Sequence, residues 1–212
     1  MPGNWQARWA SREPGVWGAV DRGTKTLNDE PWYGLSYGPI YFYMASSEHP
    51  IGPGSAQHAH MEAALKAVNR SETPWVVVTL HRMLYCSQTS EGLNSDSDIQ
   101  GLLRRGVEPL LLKYDVDMVW VGHHHSFQRT CRVANGTCLG SSSDQHVRAP
   151  IHITMGTGGT GLSQNLLSPP PQWLEYANAQ HWGYCRWPWA VKSLSADLHR
   201  HVLNHIYNRI HI

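Results

Sequence analysis

A chain of 212 residues, 41% hydrophobic and only 16% charged, is long enough for one domain with a buried core and too apolar for a disordered segment. Its formal net charge of +1, from 17 Lys and Arg against 16 Asp and Glu, excludes an electrostatic case for nucleic acid or an anionic membrane as a partner. No run approaches the roughly 18 uncharged apolar residues of a membrane span.

In chain order, residues 5–38 are rich in Trp, Gly and Pro without sustained periodicity and read as irregular loop. Pro39 to Ala45 is predicted as a strand, an aromatic and β-branched run bounded by Gly38 and a polar turn. Gly54 to Val68 is predicted as a helix, with Met61, Ala64, Leu65 and Val68 on one face. Trp75 to Leu80 has almost no alternation, the pattern of a central strand covered on both sides. Ile99 to Tyr114 is a second amphipathic helix, with Leu102, Leu103, Leu110 and Leu111 inward and a break expected at Pro109. Val116 to Val121 and Ile151 to Met155 are further strands, the latter ending in glycines. After the prolines at 169–171, a short helix is expected near Trp173 to Gln180, and one or two closing strands over 190–206. Alternating helices and strands of this kind make an α/β fold.

Two features suggest a secretory route. Asn69-Arg70-Ser71 and Asn135-Gly136-Thr137 are glycosylation sequons. Cys131 and Cys138 bracket the second, and an Asn-Gly turn between them can close a short disulfide loop. Cys86 and Cys185 then either pair with each other or stay as thiols. The opening Met1-Pro2-Gly3-Asn4-Trp5 has neither a basic leader nor an apolar core, so no signal peptide is expected within the chain.

The 14 histidines direct attention to metal chemistry, because neutral imidazole is the commonest transition-metal ligand. His81 directly follows one buried strand, and Gly122-His123-His124-His125 directly follows another. Ligands of open α/β sheets gather beyond the carboxyl ends of strands, and adjacent parallel strands would bring the two sites together. The glycine before His123 allows close backbone approach. Gly156-Thr157-Gly158-Gly159-Thr160-Gly161 matches a dinucleotide fingerprint, but the prolines that follow leave no room for the helix it requires, so a glycine turn is expected.

Val78-Thr79-Leu80-His81 and Gly122-His123-His124-His125 resemble the Val-x-x-His and Gly-His-x-His motifs of purple acid phosphatases, in the family's order. Flanking phrases are similar too, among them Ser46-Ser47-Glu48-His49, Val68-Asn69-Arg70-Ser71, Ser126-Phe127-Gln128-Arg129-Thr130-Cys131 and Ile153-Thr154-Met155-Gly156-Thr157. The resemblance implies the C-terminal part of a metallophosphoesterase sandwich, two sheets flanked by helices. Residues 1–140 would form part of the calcineurin-like domain, and 141–212 the segment that closes it. It implies an acid phosphatase acting on small phosphate monoesters through an iron ion and a divalent ion (Zn, Mn or Fe), in a secreted, lysosomal or vacuolar glycoprotein. By the family's pattern, His81 and His123 hold the divalent ion with Asn4 of the opening Gly3-Asn4-Trp5, His125 holds the ferric ion, and His124 fills the variable position. Three departures stand out. The family's Asp-x-Gly and Gly-Asp-x-x-Tyr motifs lie before Gly-Asn-His, and the sequence here starts at that third motif. Trp5 replaces a histidine, and Ser87-Gln88-Thr89-Ser90-Glu91 lacks the histidines that relatives often carry after Val-x-x-His. The rival expectation is a catalytically silent glycoprotein, or a fragment, of the same family.

Overall fold

The computed structural model describes residues 30–89, 96–144 and 146–185; within these bounds, the side chains of 96–98 are left undescribed. Nine strands and two helices fill this span. They are β1 Tyr33–Tyr37, β2 Ile40–Met44, α1 Ala56–Lys66, β3 Trp75–Thr79, α2 Asp96–Lys113, β4 Met118–Val121, β5 Phe127–Thr130, β6 Arg132–Ala134, β7 Thr137–Gly140, β8 Ile151–Met155 and β9 Leu174–Asn178. Seven strands form one sheet in the order β1-β2-β3-β4-β8-β5-β9, and β6 and β7 form a separate ribbon. The centre is parallel, with β2, β3, β4 and β8 side by side. The edges are antiparallel, β1 on β2 and β5 and β9 beyond β8. This is the α/β class expected, and β8 from the C-terminal segment sits between β4 and β5.

The central strands are buried on both faces. Val76, Val78, Val119 and Val121 share a cluster with Met61 and Leu65 of α1 and with Leu103, Val107 and Leu111 of α2. Val77, Met118, Ile151 and Ile153 make a second cluster with Ile40 and Phe127, against which Phe42, Trp75, Trp120 and Met155 pack half-buried. Two-sided burial is the reason these strands read as unbroken apolar runs. At the amino-terminal end of the sheet, Arg70 donates to Asp117 Oδ2 at 2.6 Å, and the same oxygen accepts from the Val76 amide at 2.8 Å. One carboxylate thereby ties β3 to the entry of β4.

Helix α1 begins where Ser55, in extended backbone, accepts from the His58 amide, an N-cap that satisfies one of the amides a helix start leaves bare. Buried Gln57 uses both ends of its amide on the loop after β2, accepting from Ser46 N at 2.7 Å and donating to Ser46 O at 3.0 Å.

Four expectations are corrected. Tyr33–Tyr37, inside the stretch read as loop, is a strand. Its one glycine, Gly34, hides the pattern, and a Cβ there would stand 1.9 Å from the Tyr41 hydroxyl, so that ring would have to shift. Helix α2 runs through Pro109 unbroken: the proline is exposed, and Leu103, Val107, Leu110 and Leu111 hold one continuous buried face around it. Leu102 lies off that face and is 60% exposed. The segment near Trp173 to Gln180 is strand β9, not a helix, fixed by antiparallel pairing with β5 and by Glu175, which accepts from Ser142 and lies 3.6 Å from Arg129. The strands expected over 190–206 lie outside the described residues.

Candidate metal centre

Parallel neighbours β3 and β4 end together, and their loops stay paired past the strands: Leu80 N donates to Trp120 O at 3.1 Å and Gly122 N to His81 O at 3.0 Å. The chain then turns through His123, which adopts a φ of 61°, a left-handed conformation uncommon outside glycine. That turn swings the His123 ring back over β3. His81 Nε2 and His123 Nδ1 stand 3.1 Å apart, with the rings edge to face at 5.0 Å between centroids. Burial, and then the neighbouring His123, push the His81 imidazole below its ordinary range, with Glu48 opposing the shift. Both causes favour the neutral ring, the form that donates a lone pair.

This pair fits a shared metal ion. Two nitrogens each about 2.0–2.1 Å from one ion stand about 2.9–3.4 Å apart for angles from a right angle to tetrahedral, and the observed 3.1 Å falls within that window. His125 goes elsewhere. Its Nδ1 lies 2.8 Å from the Gly161 carbonyl; a carbonyl only accepts, so Nδ1 carries the proton and Nε2 keeps the lone pair. A ligating histidine commonly has its second nitrogen held this way. Among the described residues no three His, Cys, Asp or Glu side chains converge as a metal cluster, and Asn4 lies outside those residues.

His124, between the two candidate ligands, is 3% exposed. Its Nδ1 lies 2.7 Å from Ser126 Oγ and 3.3 Å from Gln128 Nε2, and its Nε2 lies 3.1 Å from Asn165 Oδ1. It is an anchor for the loop, consistent with the variable position given to it. The glycine run forms a strap across this loop: Gly156 N donates to Ser126 O at 3.0 Å and Ser163 N to His125 O at 3.0 Å. Among the described residues no helix follows Gly161. The close approach expected of Gly122 is demanded instead of Gly156, where a Cβ would stand 1.9 Å from the His124 carbonyl oxygen; at Gly122 the nearest atom is 3.6 Å away.

Beside the pair, Arg82 Nε donates to Glu48 Oε1 at 2.9 Å and Arg82 N to Ser47 Oγ at 3.0 Å, joining the loops after β2 and β3. Arg82 holds the Glu48 carboxyl below its ordinary range. Cys131 and Cys138 are joined in a disulfide at the base of the β6–β7 ribbon, Cα atoms 5.9 Å apart. Cys86 is buried, Cys185 is exposed, and neither is in a disulfide. Both sequon asparagines, Asn69 and Asn135, are exposed. Asn165 lies in no motif of the sequence, and Gln128 and Gly161 lie in a family-like phrase and in the glycine run, neither of which indicates a contact with His124 or His125.

A sheet with a parallel core, whose adjacent strand ends present a histidine pair spaced for one ion, has the metallophosphoesterase fold. The family pattern described as iron/zinc purple acid phosphatase-like protein C matches residues 149–187. "Fe(3+)-Zn(2+) purple acid phosphatase 12" of Arabidopsis thaliana is 32% identical over 157 residues, 70% of this chain and 32% of its own length. "Probable inactive purple acid phosphatase 1" of the same plant is 34% identical over 137 residues, 63% of this chain and 22% of its length. The solved structure of purple acid phosphatase PPD1 from yellow lupin (Lupinus luteus) seeds superposes with a TM-score of 0.63 at 25% identity, over 74% of this chain and 28% of that one. The chain belongs to the purple acid phosphatase family and corresponds to its C-terminal part. It spans about a third or less of the length of these curated relatives. Among the described residues no helix is long and apolar enough to cross a membrane.

Proposed function

We propose that this chain supplies the C-terminal share of a dinuclear phosphatase site that hydrolyses phosphate monoesters. The observation that carries the reading is the 3.1 Å approach of His81 Nε2 to His123 Nδ1 at the ends of adjacent parallel strands. By the family's pattern His81 and His123, with Asn4, would hold the divalent ion (Zn, Mn or Fe), and His125, whose Nδ1 donates to Gly161 O, would offer Nε2 to the ferric ion. Such a pair of ions binds the phosphate ester and stabilises the charge that develops on its oxygens. The chain's own share is orientation: the strap holds His125, buried His124 fixes the loop, and Arg82 stands braced by Glu48 beside the pair. On this reading residues 1–140 belong to the calcineurin-like domain and 141–212 close it. The protein is a secreted or vacuolar glycoprotein carrying glycans on Asn69 and Asn135, surface positions suited to them.

A second reading, a catalytically silent member of the family, is favoured by a relative whose own name calls it probably inactive. Elemental analysis and para-nitrophenyl phosphate turnover separate the two. Bound zinc that is lost in His123→Ala supports the metal site. A chain that binds neither zinc nor iron with His81 and His123 intact overturns it, and metal without turnover in any longer form carrying the family's remaining motifs selects the silent reading.

A further inference from the structure

We propose that Asn165 is a positioning residue for the metal pair, acting through buried His124. The bonds around it set its orientation. Asn165 Nδ2 donates to the Thr89 carbonyl at 2.7 Å, so Oδ1 is the atom that faces His124 Nε2 at 3.1 Å. An amide oxygen only accepts, hence His124 carries a proton on Nε2. Gln128 braces the other side of the ring. Its Oε1 accepts from the Ser87 amide at 2.7 Å, and its Nε2, 3.0 Å from Ser126 Oγ and 3.2 Å from Cys86 Sγ, stands 3.3 Å from His124 Nδ1. Ser126 Oγ lies 2.7 Å from the same Nδ1.

The consequence is a closed circuit between the two ligand loops. Ser87 and Thr89 belong to the loop that begins at His81, and His124 sits between His123 and His125. Gln128 links the first loop to His124 from Ser87, and Asn165 links it from Thr89; Thr89 N also donates to Asn165 O at 2.8 Å. Gln128, Ser87 and Ser126 are buried, so this side of the circuit is rigid and water is kept from it. Asn165 and Thr89 are the exposed members, and Asn165 is the point where one substitution weakens the circuit without opening the core. With the circuit shut, the loops keep the register that sets His81 against His123. With the Asn165 side chain removed, His124 Nε2–H loses the Asn165 oxygen and the Thr89 carbonyl loses its Asn165 donor, while the backbone bond from Thr89 N to Asn165 O remains, and the His123 ring is held less tightly against His81. Partners behind metal ligands typically change affinity about 10–100-fold when removed.

The metal arm of the test rests on the metal-site reading; the ring-contact arm does not. The full chain, Asn165→Ala and Asn165→Asp are compared by thermal melting, by nuclear Overhauser contacts between histidine rings and by titration with Co2+ alone. Asn165→Ala is expected to melt within about 3 °C of the parent, to lose the His81–His123 ring contact and the slowly exchanging His124 ring proton, and to bind Co2+ at least about tenfold more weakly with an altered visible spectrum. Asn165→Asp keeps an oxygen for His124 but sets a second acceptor against the Thr89 carbonyl, so it is expected to retain the slowly exchanging His124 ring proton without restoring the ring contact. An Asn165→Ala chain that keeps the contact, or loses it only together with the fold, overturns the proposal. If the parent binds no Co2+, the metal-site reading fails while the ring contact still decides the positioning.

Discussion

His125 and Trp182 grip neighbouring carbonyls of the same turn: His125 Nδ1 donates to Gly161 O at 2.8 Å, and Trp182 Nε1 donates to Thr160 O at 2.7 Å. The indole is 61% exposed, so it contributes little by burial and acts mainly through that one N–H. Trp182→Phe keeps the ring and removes the donor. It is expected to cost about 1 kcal/mol in urea unfolding and to speed amide exchange at Ser163, whose N–H holds His125 O on the far side of the strap. Unchanged exchange there would mean that the strap is held from elsewhere.

Gly156 tests the strap from beneath. A methyl group there meets the backbone of His124, oxygen at 1.9 Å and carbon at 2.7 Å, whereas at Gly158 nothing lies within 4 Å. Backbone cannot yield as a side-chain end does. Gly156→Ala is expected to destabilise the chain by about 3 kcal/mol, at the upper end of overpacking costs, and Gly158→Ala to stay within about 0.5 kcal/mol of the parent. Equal losses in denaturant titrations would contradict the packing described.

What the sequence shows, and what it hides, follows from where each segment gets its stability. Strands β3 and β4 were legible because two-sided burial writes itself as apolar runs, and β2 and β8 because their aromatic and β-branched residues are bounded by turn residues. Strand β9 was not: Glu175 and Tyr176 are exposed, and its conformation comes from the register with Arg129 and Gln128 on β5, partners some 40–50 residues away by position number. The pairing of His81 with His123 was legible because a histidine at the end of an apolar run is visible without knowing the fold. The role of His124 was hidden, since it depends on Asn165 and Gln128, which nothing in the local pattern connects to it. The proline in α2 misled for a related reason. Local chemistry argues for a break, and packing of Val107, Leu110 and Leu111 overrides it.

Acid sensitivity should come from His152. The ring is fully buried in β8 against Tyr85, centroids 4.8 Å apart, and neither nitrogen has a hydrogen-bond partner. Burial pushes its pKa down to about 3 from an ordinary 6.5. Below 6.5 the unfolded chain takes up the proton and the folded chain does not, so the unfolded state binds more protons. Stability is therefore complete above that value and falls as pH drops toward about 3, by up to about 1.4 kcal/mol per pH unit. His152→Leu is expected to flatten this limb between pH 6 and 4 in urea titrations at stepped pH, values chosen from about the middle of that window. A limb equally steep in the variant would place the acid sensitivity elsewhere.

The β6–β7 ribbon offers a test of the disulfide apart from the metal site. Cys131 is buried and Cys138 exposed, and the turn between them is anchored twice: Gly136 N donates to the Tyr85 hydroxyl at 2.9 Å and Asn135 N to Glu108 Oε2 at 3.2 Å. Opening an eight-residue loop in the chain-entropy picture costs on the order of 2–3 kcal/mol. The Cys138→Ser change is expected to lose about that much, and peptide mapping without reduction should find Cys131 linked to Cys138 in the parent. Two thiols in the parent would remove both the staple and the main support for an oxidising compartment.

The last expectation concerns the 212-residue chain by itself. The ligands that the family pattern assigns within it, Asn4, His81 and His123 for the divalent ion and His125 for the ferric ion, are all neutral. The carboxylates that bridge two ions in the family belong to motifs outside these residues. Two cations a few Å apart without a charged bridge repel by several kcal/mol even at an effective dielectric near 20, so occupancy of one site opposes occupancy of the other. His81 and His123, already spaced for one ion, should win that competition. The chain loaded with zinc and iron is expected to retain about one metal per molecule and not two, and to turn over para-nitrophenyl phosphate poorly or not at all at acidic pH. His123→Ala should then abolish zinc retention and leave the melting temperature nearly unchanged, because that ring stands at the mouth of the loop and not in its core. Two retained metals, with turnover that His123→Ala removes, would show that neutral ligands suffice here and that the charge argument is wrong for this site.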